Sequence, residues 1–262
     1  MRTSKVIGIA GGMGPKGGAM LFDYILKHTP ANCDQEHLPV ILMSFPAQIE
    51  DRTAFLEGSV AQNPAYDIAA LIEKLTHAGA EVIGIPCNTS YTPRIFNVVQ
   101  EECLRLKLDS VLLNMPLEVI NYIEQQYSDT KRIGVLSTNG TYHAQMYKRY
   151  LEQKGFTAVV PDPEFQYEVV HPLIYDTDFG LKANTEKVTE TAKEYIYQIQ
   201  RYFRERDTEL FILGCTELSM LHDFDMGAPC VDSTEVLAKA LIRAATDLGE
   251  VMPLAEVRST RG

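Results

Sequence analysis

The sequence predicts an α/β protein built from two similar open parallel-sheet domains that face each other across a cleft. Three observations carry this. Short apolar runs alternate with amphipathic segments along the whole chain, the pattern of parallel strands with helical crossovers. The 262 residues suffice for one large or two modest domains of this kind. One local pattern, an apolar run ending at a cysteine with a threonine next or next but one, occurs once in each half, at Ile85-Pro-Cys-Asn-Thr-Ser90 and Leu213-Gly-Cys-Thr-Glu-Leu-Ser219.

The elements follow in order. Lys5–Ala10 reads as a first buried strand, ended by a glycine-rich turn that continues through Gly17 and Gly18 into a helix over Ala19–Leu26. Gly12, Gly14 and Gly17 satisfy the bare G-x-G-x-x-G spacing of dinucleotide sites. Pro15, however, removes an N–H where a pyrophosphate needs one, and the next strand, Pro39–Ser44, ends in serine rather than an acid. A loop over Pro46–Arg52 brings Arg52 near that strand's carboxyl edge. There its fork suits a carboxylate, unless it pairs on the surface with Glu50 or Asp51. Asn63 and Pro64 open a helix that Gly79 stops, and a third strand runs into Cys87. Thr92-Pro93 starts a further helix, Ser110–Asn114 is a fourth strand, and Met115-Pro116 opens the crossover to the second half.

That half repeats the alternation. Arg132–Ser137 is a strand, followed by a hydroxyl-rich loop, Thr138–Thr141, suited to carboxylate or phosphate contacts, or to capping a helix. Thr157–Val160 is a strand, residues 164–184 are mixed, and Thr185 caps a long helix to about Arg204. Glu209–Leu213 leads to Cys215, Pro229–Asp232 is a last strand, and Ser233 caps a final helix expected to pack on the first half. The expected domains are 1–114 with 233–262, carrying Cys87, and 115–232, carrying Cys215. The extreme C-terminus is expected to fray.

The cysteines carry the chemistry. Buried cysteine is a common small core residue. Here both stand at the carboxyl end of a buried parallel strand, the edge where open α/β sheets bind ligands. A helix starting just after each thiol is expected to favour an anion and to lower the thiol pKa. Two such groups imply a proton acceptor on each side of a bound anionic molecule. Cys33, Cys103 and Cys230 suggest only packing or exposure. The odd count and wide spacing argue against disulfides or structural zinc.

A net charge of −11 argues against a nucleic-acid surface but not against an acidic ligand, because local groups set the field in a cleft. With neither a signal-like segment nor a run long enough to span a bilayer, a cytoplasmic protein with reduced thiols is expected, without membrane partners.

As an ordered set, Gly8-Ile-Ala-Gly-Gly-Met-Gly-Pro15, Asp51-Arg-Thr53, Pro86-Cys-Asn-Thr-Ser90, Thr138-Asn-Gly-Thr141 and Gly214-Cys-Thr-Glu217 resemble the aspartate/glutamate racemase superfamily, and within it the aspartate racemase branch. The resemblance covers nearly the whole chain. It implies amino-acid racemisation without pyridoxal or any other cofactor, frequently in a homodimer, with Cys87 and Cys215 as two catalytic bases. Asn88, Thr89, Thr216 and Glu217 would then hold the α-carboxylate and ammonium of an acidic amino acid. Arg52, Lys182, Thr138, Gly140 and Thr141 would engage the distal carboxylate, with Met13, Gly14 and Ser90 also lining the site. Cell-wall glutamate racemases usually carry an Asp-Ser-Gly-rich first loop and a histidine after the second Cys-Thr; this chain has Gly-Gly-Met-Gly-Pro and Glu217. Tyr91 stands where the family often has histidine. The alternatives are glutamate or broad-specificity racemisation, hydantoin racemisation, maleate isomerisation, and a catalytically silent small-ligand-binding protein. Arylmalonate decarboxylation usually needs only one of the two cysteines.

Overall fold

The computed structural model describes residues 4–246, and the expected fraying of the extreme C-terminus lies outside them. The chain groups into two compact units, Met1–Glu118 with Thr234–Gly262 and Val119–Ser233.

The first unit is built on a four-stranded parallel sheet of order β2-β1-β3-β4, with β1 Ile7–Gly11, β2 Val40–Ser44, β3 Val82–Gly84 and β4 Val111–Leu112. Every residue of β1 is buried, which is why its sequence is a continuous apolar and glycine run rather than an alternation. Helix α1, Pro15–His28, begins four residues before the expected Ala19. Pro15 presets the first helical φ. Gly17 and Gly18 are buried within the first turn, and a Cβ at Gly18 would meet Leu42 Cδ1 at 3.1 Å and the Gly11 Cα at 3.4 Å. Both thus lie in the helix rather than a loop, and Gly18 serves close helix–strand approach. The expected loop at 46–52 also ends earlier. Asp51 caps α2, Arg52–Glu57, by accepting from the Ala54 N–H at 2.9 Å, and Gly58 closes it at φ +85°. Helix α3, Ala65–His77, starts where Asn63 Oδ1 accepts the Ala65 N–H, and α4, Pro93–Arg105, follows Thr92.

Helix α5, Met115–Gln126, contains the boundary between the units. The second unit repeats the topology, with order β6-β5-β7-β8 for β5 Arg132–Ser137, β6 Thr157–Val159, β7 Leu210–Gly214 and β8 Cys230–Asp232. After β5 the chain turns straight into α6, Asn139–Ala144, then α7, Met146–Gln153, with Gln145 left-handed between them. The expected loop at 138–141 is thus the start of a helix behind Thr138.

The segment read as mixed contains α8, Pro163–Phe165, a π-helical turn over Gln166–Val170 and α9, His171–Tyr175. The long helix α10 is Glu190–Arg204, not one capped by Thr185. Thr189 is the cap, accepting from the Ala192 N–H at 3.1 Å, because residues 176–184 are spent in tight turns around Asp176 and Gly180. The final helix α11, Ser233–Thr246, packs on the first sheet: a Cβ at Gly84 would meet Leu241 Cδ1 at 2.9 Å and Leu237 Cδ2 at 3.2 Å. No helix among the described residues is long and apolar enough to cross a membrane.

Candidate active site

In the first unit the site residues gather where β1 and β3 end. Ile9 pairs in register with Gly84, so the turn after Gly11 lies beside the segment that carries Cys87. Cys87 is buried, as are Asn88, Thr89 and Ser90 in the 3₁₀ turn Asn88–Tyr91 that follows it. The Cys87 carbonyl accepts the Ser90 N–H at 3.2 Å, and Ser90 Oγ donates to Met13 Sδ at 3.5 Å, tying the Met13–Gly14 turn to the cysteine turn. Helix α2 packs on the same turn and brings Arg52 with it. Arg52 is 7% exposed, not a surface arginine. Its Nη1 donates to the Glu50 carbonyl at 3.0 Å, and Nη2 lies 4.0 Å from the Asp51 carboxylate. Tyr91 turns inward, donating to the Leu113 carbonyl at 3.1 Å and accepting from the Ile85 N–H at 3.2 Å. Burial pushes its phenol up, against the pull of the backbone N–H.

The second unit has the corresponding corner. Ser137 pairs in register with Gly214, so Thr138 and Cys215 leave adjacent strands side by side at the carboxyl edge. A Cβ at Gly214 would fall 2.8 Å from the Leu136 carbonyl oxygen, so this close strand approach needs glycine. Thr138, Asn139 and Thr141 are buried in the helix start next to it. Gln166, fully buried, holds that turn by donating from Nε2 to the Ser137 carbonyl at 3.0 Å and to Asn139 Oδ1 at 3.1 Å, while the Asn139 N–H donates to His171 Nδ1 at 3.3 Å. Sequence reasoning missed Gln166 and His171. They lie in and just after a π-helical turn, and neither a 3.6 nor a 2.0 periodicity marks such positions.

The unforeseen feature is charge. Glu217 Oε1 accepts from Lys182 Nζ at 2.7 Å, and Oε2 accepts from Cys215 Sγ at 2.9 Å and Thr216 Oγ1 at 3.1 Å. Glu217 was expected to hold substrate; its two oxygens are instead engaged inside the protein. Lys182 is delivered by the tight turns before α10: its N–H donates to the Ile174 carbonyl at 3.0 Å, and its ammonium sits 5.1 Å from the Tyr175 ring centroid. Burial opposes the charge on both partners. The mutual attraction wins, holding the Glu217 carboxyl below and the Lys182 ammonium above their ordinary values.

The expected dipole-lowered thiol is not found at Cys215. Burial, then the neighbouring Glu217 charge, pushes its pKa well up, and Lys182 offsets this only in part. The helix following it, Thr216–Asp223, is 3₁₀. Burial likewise raises Cys103 to about 11 and Cys230 to about 12, while Cys33 is exposed. Among the described residues no group of three or more His, Cys, Asp or Glu is placed to hold a metal ion.

The profile of the Asp/Glu/Hydantoin racemase family matches residues 10–241, which span both cysteine corners. The chain belongs to this family. Membership supports an isomerase of racemase type. The broad specificity amino-acid racemase RacX of Bacillus subtilis (strain 168) is 24% identical over 251 residues, covering 90% of this chain and 96% of RacX. Among solved structures, Picrophilus torridus aspartate racemase superposes with a TM-score of 0.72 at 27% identity, covering 92% of this chain and 94% of that one. An aspartate racemase homologue from Pyrococcus horikoshii OT3 gives 0.66 at 22% identity, covering 93% and 100%. That second likeness speaks for the fold alone.

Proposed function

We propose that the protein is a cofactor-independent racemase that interconverts L- and D-aspartate with Cys87 and Cys215 as its two bases. The observation that supports this reading is the repeated placement of the thiols. Each follows the strand at the third position of its sheet, at the carboxyl edge, beside the turn that leaves the neighbouring strand.

The reaction moves one proton from Cα and one proton to it, on opposite faces. A thiolate on one face takes the Cα proton, and the electron pair passes into the α-carboxylate as an enediolate-like charge. The thiol on the other face then supplies a proton to Cα, leaving inverted product and the two cysteines with their protonation states exchanged. With no electron sink, the developing charge must meet fixed donors in a water-poor setting. In this reading Asn88, Thr89 and Thr216 serve the α-carboxylate and ammonium. Arg52, the Thr138–Thr141 turn and Lys182 serve the distal carboxylate, the last while remaining bound to Glu217.

The test is direct. Purified protein with no added cofactor is given each enantiomer of aspartate and followed by chiral chromatography, alongside Cys87→Ser and Cys215→Ser. Racemisation by wild type and a loss of about 10³-fold or more in each variant are expected. Undiminished turnover in either variant would sink the two-base mechanism.

The similarity to RacX motivates a second reading, broad specificity. A screen of both enantiomers of the common amino acids separates the two. Arg52→Ala should weaken dicarboxylic substrates selectively if aspartate is the substrate, and all substrates alike, or none, if the range is broad.

A further inference from the structure

We propose that Glu217, braced by Lys182, is a positioning residue that keeps the exchangeable proton on Cys215, so that the free enzyme rests with Cys215 as the proton donor of the pair. This rests on the two-base reading and adds a resting state and a direction to it.

The geometry is that of a bridging carboxylate. One oxygen receives the Lys182 ammonium at 2.7 Å; the other receives the Cys215 thiol at 2.9 Å and the Thr216 hydroxyl at 3.1 Å. A carboxylate is an acceptor only, so the short Sγ–Oε2 contact requires hydrogen on sulfur. The pair is buried: Cys215 is 6% and Glu217 7% exposed, and Cys215 belongs to an apolar cluster with Leu173, Leu181 and Leu218. Other charged groups near this corner are accounted for. Tyr175 lies under Lys182, and Asp232, on the strand next to β7, meets His222 Nε2 at 3.2 Å. Glu217 is thus the carboxylate that bears on the sulfur, and the Lys182 ammonium on its other oxygen orients it while offsetting part of its charge at the sulfur.

A direction follows. The enantiomer whose Cα hydrogen faces Cys87 meets an enzyme already set to deliver a proton from Cys215. Turnover then leaves a Cys215 thiolate beside the Glu217 carboxylate, two anions in a low-dielectric place. The resting arrangement returns when Cys215 takes a proton from solvent and Cys87 releases one to it, or when the opposite enantiomer gives its Cα proton to Cys215 and receives one from Cys87.

The test reads the sulfur itself. Full-length wild type, Glu217→Gln and Lys182→Met are alkylated with iodoacetamide at fixed neutral pH, and the rate at Cys215 is followed by mass spectrometry. The rate tracks the thiolate fraction. Removing the negative charge should raise it about tenfold or more, and removing the positive charge should lower it by a similar factor. Loosened packing would raise both, so opposite signs identify charge as the cause. Glu217→Asp, which keeps the charge, should stay within about threefold of wild type. No change in Glu217→Gln, a rise in both charge-removing variants, or a jump in Glu217→Asp as large as that in Glu217→Gln overturns the proposal. If Glu217→Gln does not fold, Lys182→Met decides: a rate that stays or rises overturns it. Failure of the racemase reading would show separately, as absent turnover in wild type.

Discussion

The corners around Cys87 and Cys215 share a frame and differ in charge. Their sheets have the same strand order, and each thiol follows the third-position strand. After Cys87 come neutral side chains, Asn88, Thr89 and Ser90, the last reaching back to Met13. After Cys215 comes a carboxylate that binds the thiol on one side and a lysine on the other. A repeated fold therefore places two thiols at equivalent positions without giving them equivalent neighbours. The backbone sets where each sulfur stands, and at Cys215 burial and then the carboxylate two places later push the thiol's pKa up.

The largest test of this difference is isotopic. In deuterated water each single-serine variant should still exchange Cα hydrogen through its remaining thiol while losing about 10³-fold or more in racemisation. Cys215→Ser should exchange one enantiomer and Cys87→Ser the other, read by mass spectrometry of the separated enantiomers. Exchange of the same enantiomer in both variants would break the comparison.

A smaller effect concerns stability. Glu217→Gln leaves the mostly buried Lys182 without its counter-charge, at a cost of about 3 kcal/mol. The pH dependence has a definite sign. Glu217 has a depressed carboxyl, so its contribution is complete above the unfolded value of about 4.3 and is lost as pH falls through the lower folded value. Lys182 has a raised ammonium, so its contribution is complete below about 10.4 and is lost as pH rises through the higher folded value. Thermal unfolding of wild type and Glu217→Gln should therefore differ most between those limits and converge in acid. A constant gap down to strong acid would remove the ion pair from the account.

Much of the frame was legible in the sequence, because it rests on apolar runs. The strand Arg132–Ser137 was read with its observed bounds, and Cys87 and Cys215 fall after buried strands, as their flanking runs indicated. What failed was local. Gly17 and Gly18 read as a turn because glycine permits one, yet both lie in α1, and at Gly18 the lack of a side chain lets the helix lie close to a strand. Thr185 and Thr189 are both competent caps; the turns around Gly180 decided between them, and those depend on tertiary pairs such as Leu181 with Leu173. The Lys182–Glu217 contact joins residues 35 apart through irregular chain, and no periodicity announces it.

The remaining tests separate backbone from side chain at the two corners. Gly214→Ala should cost about 1–3 kcal/mol and displace Cys215, since the new methyl meets the backbone oxygen of Leu136, which cannot turn aside. At Gly84 the methyl meets the ends of Leu241 and Leu237 side chains, so Gly84→Ala should cost less; chemical denaturation orders the pair. The smallest effect is expected at Tyr91. Its hydroxyl is spent on the Leu113 carbonyl and the Ile85 N–H, so Tyr91→Phe should lose about 1 kcal/mol of stability. Because that hydroxyl ties strand ends together rather than turning toward Cys87's reactants, KM should not move with it. A Tyr91→Phe variant with normal stability and a KM raised about tenfold would put the phenol in the site beside Cys87.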